Sequence, residues 1–174
     1  MADRPSAPTS PRALECPIGP AIPLDGDLIA RAVAGSRASP RRRIVLPLHA
    51  APDDSLQRML NALQPDSYVQ PHRHDGMKAE SVIVLRGRVG FVTFDDGGDV
   101  TASVAAAPGT DCIGLDVRPR VYHTFFALVP DTVVFEVKAG PYDPQRAKEF
   151  APWAPGEDDP AAPDYLAELH TLFP

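Results

Sequence analysis

Cysteine is nearly missing from this chain. Its 174 residues hold only Cys16 and Cys112, far apart and in no C-x-x-C spacing. That leaves no disulfide framework; the plain reading is a reduced, cytosolic protein, with a single bridge as the other option. Positive charge is also short: 17 basic residues face 23 acidic ones, for a net charge of -6. The overall field therefore does not favour nucleic acid or an anionic membrane, although a local patch could still bind either. No apolar run approaches the roughly 18 residues of a membrane span. The opening M-A-D-R-P-S-A-P-T-S-P-R has no apolar h-region, so no secretory signal is expected. The expectation is a soluble, cytoplasmic protein that binds neither nucleic acid nor membrane.

Proline, by contrast, is abundant. The 21 prolines cluster outside the middle of the chain and divide it. Residues 1–23 read as a Pro/Ala-rich arm, mobile or draped on the body. Residues 24–43 read as a short helix and a basic connector. Asp25-Gly26-Asp27 caps L-I-A-R-A-V-A, with Leu28, Ile29 and Val33 as the apolar face and a stop near Gly35. Arg41-Arg42-Arg43 follows, either a phosphate or polyanion site or a run that is solvated or paired with carboxylates.

Residues 44–140 read as an all-β body. Strands are expected at 44–48, 56–63, 67–74, 80–86, 88–95, 100–105, 111–117, 121–128 and 132–138. Asp95-Asp96-Gly97-Gly98-Asp99 and Val129-Pro130-Asp131 are expected as hairpin turns. Leu56 to Leu63 has helical propensity, but its neighbours favour strand. Many short strands at close spacing indicate a sandwich or small barrel. Residues 141–174 read as a tail packed on the barrel, with a helical turn in Q-R-A-K-E-F, a proline-rich connector and a helix from Tyr165 to Phe173. Trp153 and the tail aromatics are expected to serve burial.

The chemistry concentrates between Tyr68 and Gly87. His72 and His74 are separated by one residue, so on an extended segment they share a face. On a helix they would diverge by about 200°, and Pro71 works against a helix there. Glu80 follows, then the apolar Val82 to Leu85 and a turn at Arg86-Gly87. His123 opens a further apolar strand. A lone histidine in that setting is ordinarily a satisfied core or rim residue. Beside an H-x-H pair and a carboxylate, it completes a donor set for Fe(II), Mn(II), Zn(II), Ni(II) or Cu(II). One carboxylate leaves such a site at about +1, which suits an anionic or enediol-like oxygen ligand. Gln70, in phase with the histidines, and Phe125, in phase with His123, either line the pocket or fill the barrel interior. Arg118 and Arg120 flank Pro119 shortly before His123, either binding an anionic substrate or solvated. No general base stands out; Tyr68, Tyr122 and His49 are available.

H-x-H, five residues, Glu80, six residues and Gly87 resembles the first cupin motif, and His123 resembles the histidine of the second. S-P-R-R-R, L-Q-R-M-L-N-A-L, Y-V-Q-P-H-R-H, Y-H-T-F-F-A-L, F-E-V-K-A-G-P-Y-D-P and F-A-P-W-A-P-G-E are similar to stretches of the WbuC-type cupin fold metalloproteins. The resemblance implies a single double-stranded β-helix, or jelly-roll barrel, with one divalent metal (Fe, Mn, Zn or Ni) held by His72, His74, Glu80 and His123. It also implies a homodimer. The spacing before Glu80 is longer than the family's usual one, which makes Asp75 a rival carboxylate. Cys112, Arg118 and Arg120 stand where the second motif commonly has Gly, Pro and Gly.

Three functions follow as expectations. One is a metal-dependent isomerase, lyase or dioxygenase acting on a small polar, sugar-derived or anionic molecule. The second is a non-catalytic binding or sensing cupin. The third is a metal-free, epimerase-like cupin using histidine acid–base chemistry.

Overall fold

The protein is described here from a computed structural model over residues 11–74, 76, 78–143 and 147–174. Among these residues, two helices and ten strands occur in the order α1 (Gly26–Ala38), β1 (Arg43–Pro47), β2 (Leu56–Leu63), β3 (His72–Arg73), β4 (Glu80–Arg86) and β5 (Val89–Phe94). Then follow β6 (Val100–Ala106), β7 (Gly114–Val117), β8 (Tyr122–Ala127), β9 (Thr132–Ala139), β10 (Glu149–Phe150) and α2 (Ala162–His170). The strands form two five-stranded sheets, β1-β2-β9-β4-β7 and β10-β3-β8-β5-β6, with every pairing between them antiparallel.

Apolar residues place the layers. Leu63, Val82, Val84 and Val134 from the first sheet meet Val89, Phe91, Phe125 and Ala127 from the second, forming the interior. The outer face of the first sheet carries Ile44, Leu46, Leu60 and Val133, covered by Leu28, Ala32 and Val33 of α1. The outer face of the second carries Val92, Phe94, Tyr122 and Phe126, covered by Ala151, Ala154, Leu166 and Leu169 of the tail. Strand β8 is therefore buried on both faces along its whole length, which is why it reads as a nearly continuous apolar run.

Local chemistry accounts for the element ends. The Asp25 carboxylate accepts a hydrogen bond from the Leu28 amide at 3.0 Å and caps α1. The helix continues past Gly35, its expected stop, to Ala38. Gly35 is instead a packing residue: a Cβ there would sit 3.1 Å from both Ile44 and Leu14. Asp95 to Asp99 is the hairpin turn between β5 and β6, closed by the Asp95 amide on the Asp99 carbonyl. Val129-Pro130-Asp131 is not a hairpin, because β8 and β9 lie in opposite sheets. Gly87 makes the same kind of crossing between β4 and β5, at φ 80°. A Cβ there would come 2.3 Å from Thr132 Oγ1, so both the conformation and the contact require glycine.

Two further expectations are corrected. Only His72–Arg73 of the stretch 67–74 joins a ladder, because side chains take the earlier carbonyls: Arg43 Nη1 donates to Tyr68 O and Thr124 Oγ1 to Val69 O. Glu149–Phe150, expected within a helical turn, is a strand paired to β3. Residues 12–14 of the arm lie along β1 through an Ala13–Val45 bridge. Among the described residues, no helix is long and apolar enough to cross a membrane.

Candidate metal centre

Two strands deliver the histidines and a third the glutamate. His72 on β3 is the direct cross-strand partner of His123 on β8, and His74 follows one alternation later. Glu80 opens β4 in the facing sheet, beside Lys138 on β9. All four side chains are buried, and their nearest ligand atoms lie within 4.8 Å of one another. The ring centroids of His72 and His123 are 4.7 Å apart, and those of His72 and His74 5.2 Å.

The hydrogen bonds decide which ring atoms are free. His72 Nδ1 lies 2.9 Å from Gln70 O, His123 Nδ1 2.9 Å from Val121 O, and His74 Nδ1 2.8 Å from Ala147 O. A carbonyl can only accept, so each Nδ1 carries a proton and donates. In a neutral imidazole that leaves the lone pair on Nε2, the tautomer a metal ligand needs. Among the described residues, buried His123 Nε2 has no hydrogen-bond partner; it lies 4.0 Å from Glu80 Oε2. His74 Nε2 is in direct contact with the same oxygen. A lone pair pressed on a carboxylate oxygen requires a shared cation, either a proton or a metal ion. Ligands about 2.1 Å from one ion lie at most roughly 4.2 Å apart, so the cluster needs only a slight contraction to close on one. It can hold a metal ion.

The electrostatics agree. Burial, reinforced by the Lys148 charge, holds the His72 imidazole well below its usual pKa, and burial lowers that of His123 as well. Burial alone would raise Glu80. The His74 hydrogen bond and the Lys138 ammonium, 3.9 Å away, outweigh it and hold the carboxyl below the usual range.

The remaining expected residues are spread around this cluster. Phe125 lines an interior cavity of about 120 Å³ together with Glu80, Asn61, Glu136 and Lys148. Gln70 directs its amide to the Ala151 and Ala154 carbonyls, at 3.5 and 3.4 Å. Tyr68 lies in the wall of a surface groove, and its hydroxyl donates to Pro155 O at 2.8 Å. Arg120, at φ 66°, is near Glu149, whose carboxyl is held low first by Arg73 and also by Arg120. Asp75 lies outside the described residues.

The sequence reading missed Glu136, Lys138 and Lys148. Lys138 pairs with Glu136, whose carboxylate also accepts from Asn61. Alternation along β9 carried a signal for the first two, because Glu136 and Lys138 are in phase with the core residue Val134. Lys148 is pulled down to about 8, first by burial and next by Lys138.

A family model described as a domain of unknown function, DUF6016, matches residues 24–106. No curated protein matches the chain. Among solved structures, Cellulomonas parahominis L-ribose isomerase without ligand is similar at 17% identity and TM-score 0.51, over 64% of this chain and 70% of that one. The same enzyme with L-psicose gives 18%, 0.50 and the same coverage. An RmlC-like cupin from Desulfovibrio desulfuricans gives 18% and 0.43, over 56% and 81%. At 17% and 18% identity the likeness to the two isomerase structures concerns the fold. That fold is a single cupin β-barrel, two antiparallel sheets closed over a buried cluster of three histidines and one glutamate.

Proposed function

We propose that this cupin holds one divalent first-row metal between His72, His74, His123 and Glu80, and acts on or binds a small polar, anionic molecule at that centre. One observation carries the reading: three buried imidazoles, each fixed by a carbonyl at Nδ1, cluster with one carboxylate, and among the described residues His123 Nε2 has no hydrogen-bond partner.

A bound divalent ion supplies Lewis acidity, and a redox-active one also opens oxygen chemistry, so isomerase, lyase and dioxygenase reactions all remain within the proposal. The chain's own groups set the field. Glu136 and Lys138 neutralise one another beside the cluster, and Lys148 adds a cation facing the same cavity. With neutral imidazoles and one ionised ligand carboxylate, an M²⁺ centre keeps about one positive charge. An anionic ligand is favoured on both counts. The WbuC-type assignment and a homodimer belong to the same proposal, the former supported by the quoted motifs.

The test is elemental analysis of the untagged protein, as purified and after anaerobic reconstitution, beside His72→Ala. About one equivalent of a first-row metal in the wild type, lost in the variant, is expected. No metal in the wild type after reconstitution would overturn the reading in favour of a metal-free cupin.

A further inference from the structure

Two members of the three-arginine run, Arg41 and Arg43, meet the cavity that reaches Glu80 at a single carboxylate. Arg41 donates to both oxygens of Glu157, with Nη2 2.9 Å from Oε2 and 3.2 Å from Oε1. Arg43 Nη2 contacts Glu157 Oε1 as well, and Arg42 is engaged elsewhere, on Asp66. The positive charge of Arg12 also bears on Arg43. Two guanidinium groups therefore share one carboxylate, and the Arg12 charge bears on the same place. Burial pulls Arg43 down to about 10, still charged at neutral pH.

Position makes this more than a surface ion pair. A surface groove of about 740 Å³ runs between the arginine segment and α2. The interior cavity that reaches Glu80 shares Arg12, Arg41, Arg43 and Glu157 with it. These four residues stand between the open groove and the cavity that reaches Glu80. The interior cavity is lined by four cations (Arg12, Arg41, Arg43 and Lys148) against three anions (Glu80, Glu136 and Glu157). Guanidinium forks match a carboxylate or phosphate in geometry and charge. The Glu157 side chain keeps 31% of its surface exposed, so an incoming oxyanion has access to the guanidinium groups from solvent.

We propose that Arg12, Arg41 and Arg43 form an oxyanion subsite at the cavity entrance, that Glu157 occupies it as a built-in stand-in, and that the carboxylate or phosphate of a small polar acid displaces it. The rest of that molecule then extends inward towards Glu80. The inference rests on the proposed metal function for its second contact, but the anion subsite itself is independent of metal.

The test is calorimetric titration of the full-length protein, metal-free and metal-loaded, with inorganic phosphate and separately with malonate. Glu157→Gln removes the stand-in charge and is expected to tighten at least one anion by about tenfold, the scale of one charge-assisted contact. Adding Arg41→Gln is expected to abolish that gain. Phosphate over malonate identifies a phosphorylated ligand, and the reverse a carboxylic acid. If Glu157→Gln lowers the Tm and leaves both affinities within about twofold, Glu157 is structural and the subsite is overturned, even where metal is bound in stoichiometric amount. If the anions respond as expected but no metal is taken up, the subsite stands and the metal reading falls.

Discussion

Along β4, β8 and β9 the inward face changes character within two residues. On β4, Val82 and Val84 are buried in the apolar interior, while Glu80 joins the cluster. On β8, Phe125 and Ala127 are core and His123 is a ligand candidate; on β9, Val134 is core while Glu136 and Lys138 are charged. The alternation of the strands is unbroken across this boundary, so one barrel serves two purposes with the same backbone pattern. The apolar end supplies the burial that closes the two sheets. The polar end carries groups whose burial is costly unless each finds a partner. Glu80, Glu136, Lys138 and His74 have partners, whereas among the described residues His123 Nε2 has no hydrogen-bond partner.

That division can be broken from either side. Phe91 is buried at the apolar end and packs on Phe125, with ring centroids 5.6 Å apart. Phe91→Ala is expected to cost about 3–5 kcal/mol in urea denaturation, with one equivalent of Zn(II) still taken up by the folded protein. Glu80→Gln is expected to show the opposite pattern, a folded protein whose Zn(II) affinity falls at least about tenfold. Equal losses of stability and metal in both variants would mean that the two ends are not separable.

A smaller effect sharpens the comparison. In the metal-free protein Lys148 titrates at about 8 rather than 10.5, lowered by burial and then by Lys138 and Arg43, with Glu136 and Glu80 opposing. Between those values the unfolded chain binds more protons, so the penalty of this lysine shrinks as the pH rises through that window and is constant below it. Lys148→Met is therefore expected to raise the Tm at about pH 7 and to raise it less at about pH 10. An equal gain at both would show that the ammonium does not face the polar interior.

Much of this was legible in the sequence where the signal is local. Pro71 and the one-residue gap between His72 and His74 fix an extended segment with both rings on one face, and the structure brings His123 and Glu80 to them. Leu56 to Leu63 is a strand despite its helical propensity, because pairing with β1 and β9 outweighs local preference. Non-local effects were not legible. Whether a turn is a hairpin or a crossing between sheets depends on which sheet receives the next strand, as at Val129-Pro130-Asp131. Strand β10 is only two residues long and is held by β3 and the Arg73–Glu149 pair, across a sequence separation of 76. Glu136 and Lys138 were overlooked because T-V-V-F before them reads as a strand buried on both faces, which hides the alternation.

X-ray absorption at the metal edge of the loaded protein tests the central claim most directly. The account predicts three imidazole nitrogens and a carboxylate oxygen about 2.0–2.2 Å from one ion. His123→Ala should lower the imidazole count by one. A metal bound without imidazole scattering, or a count unchanged by that substitution, would contradict it.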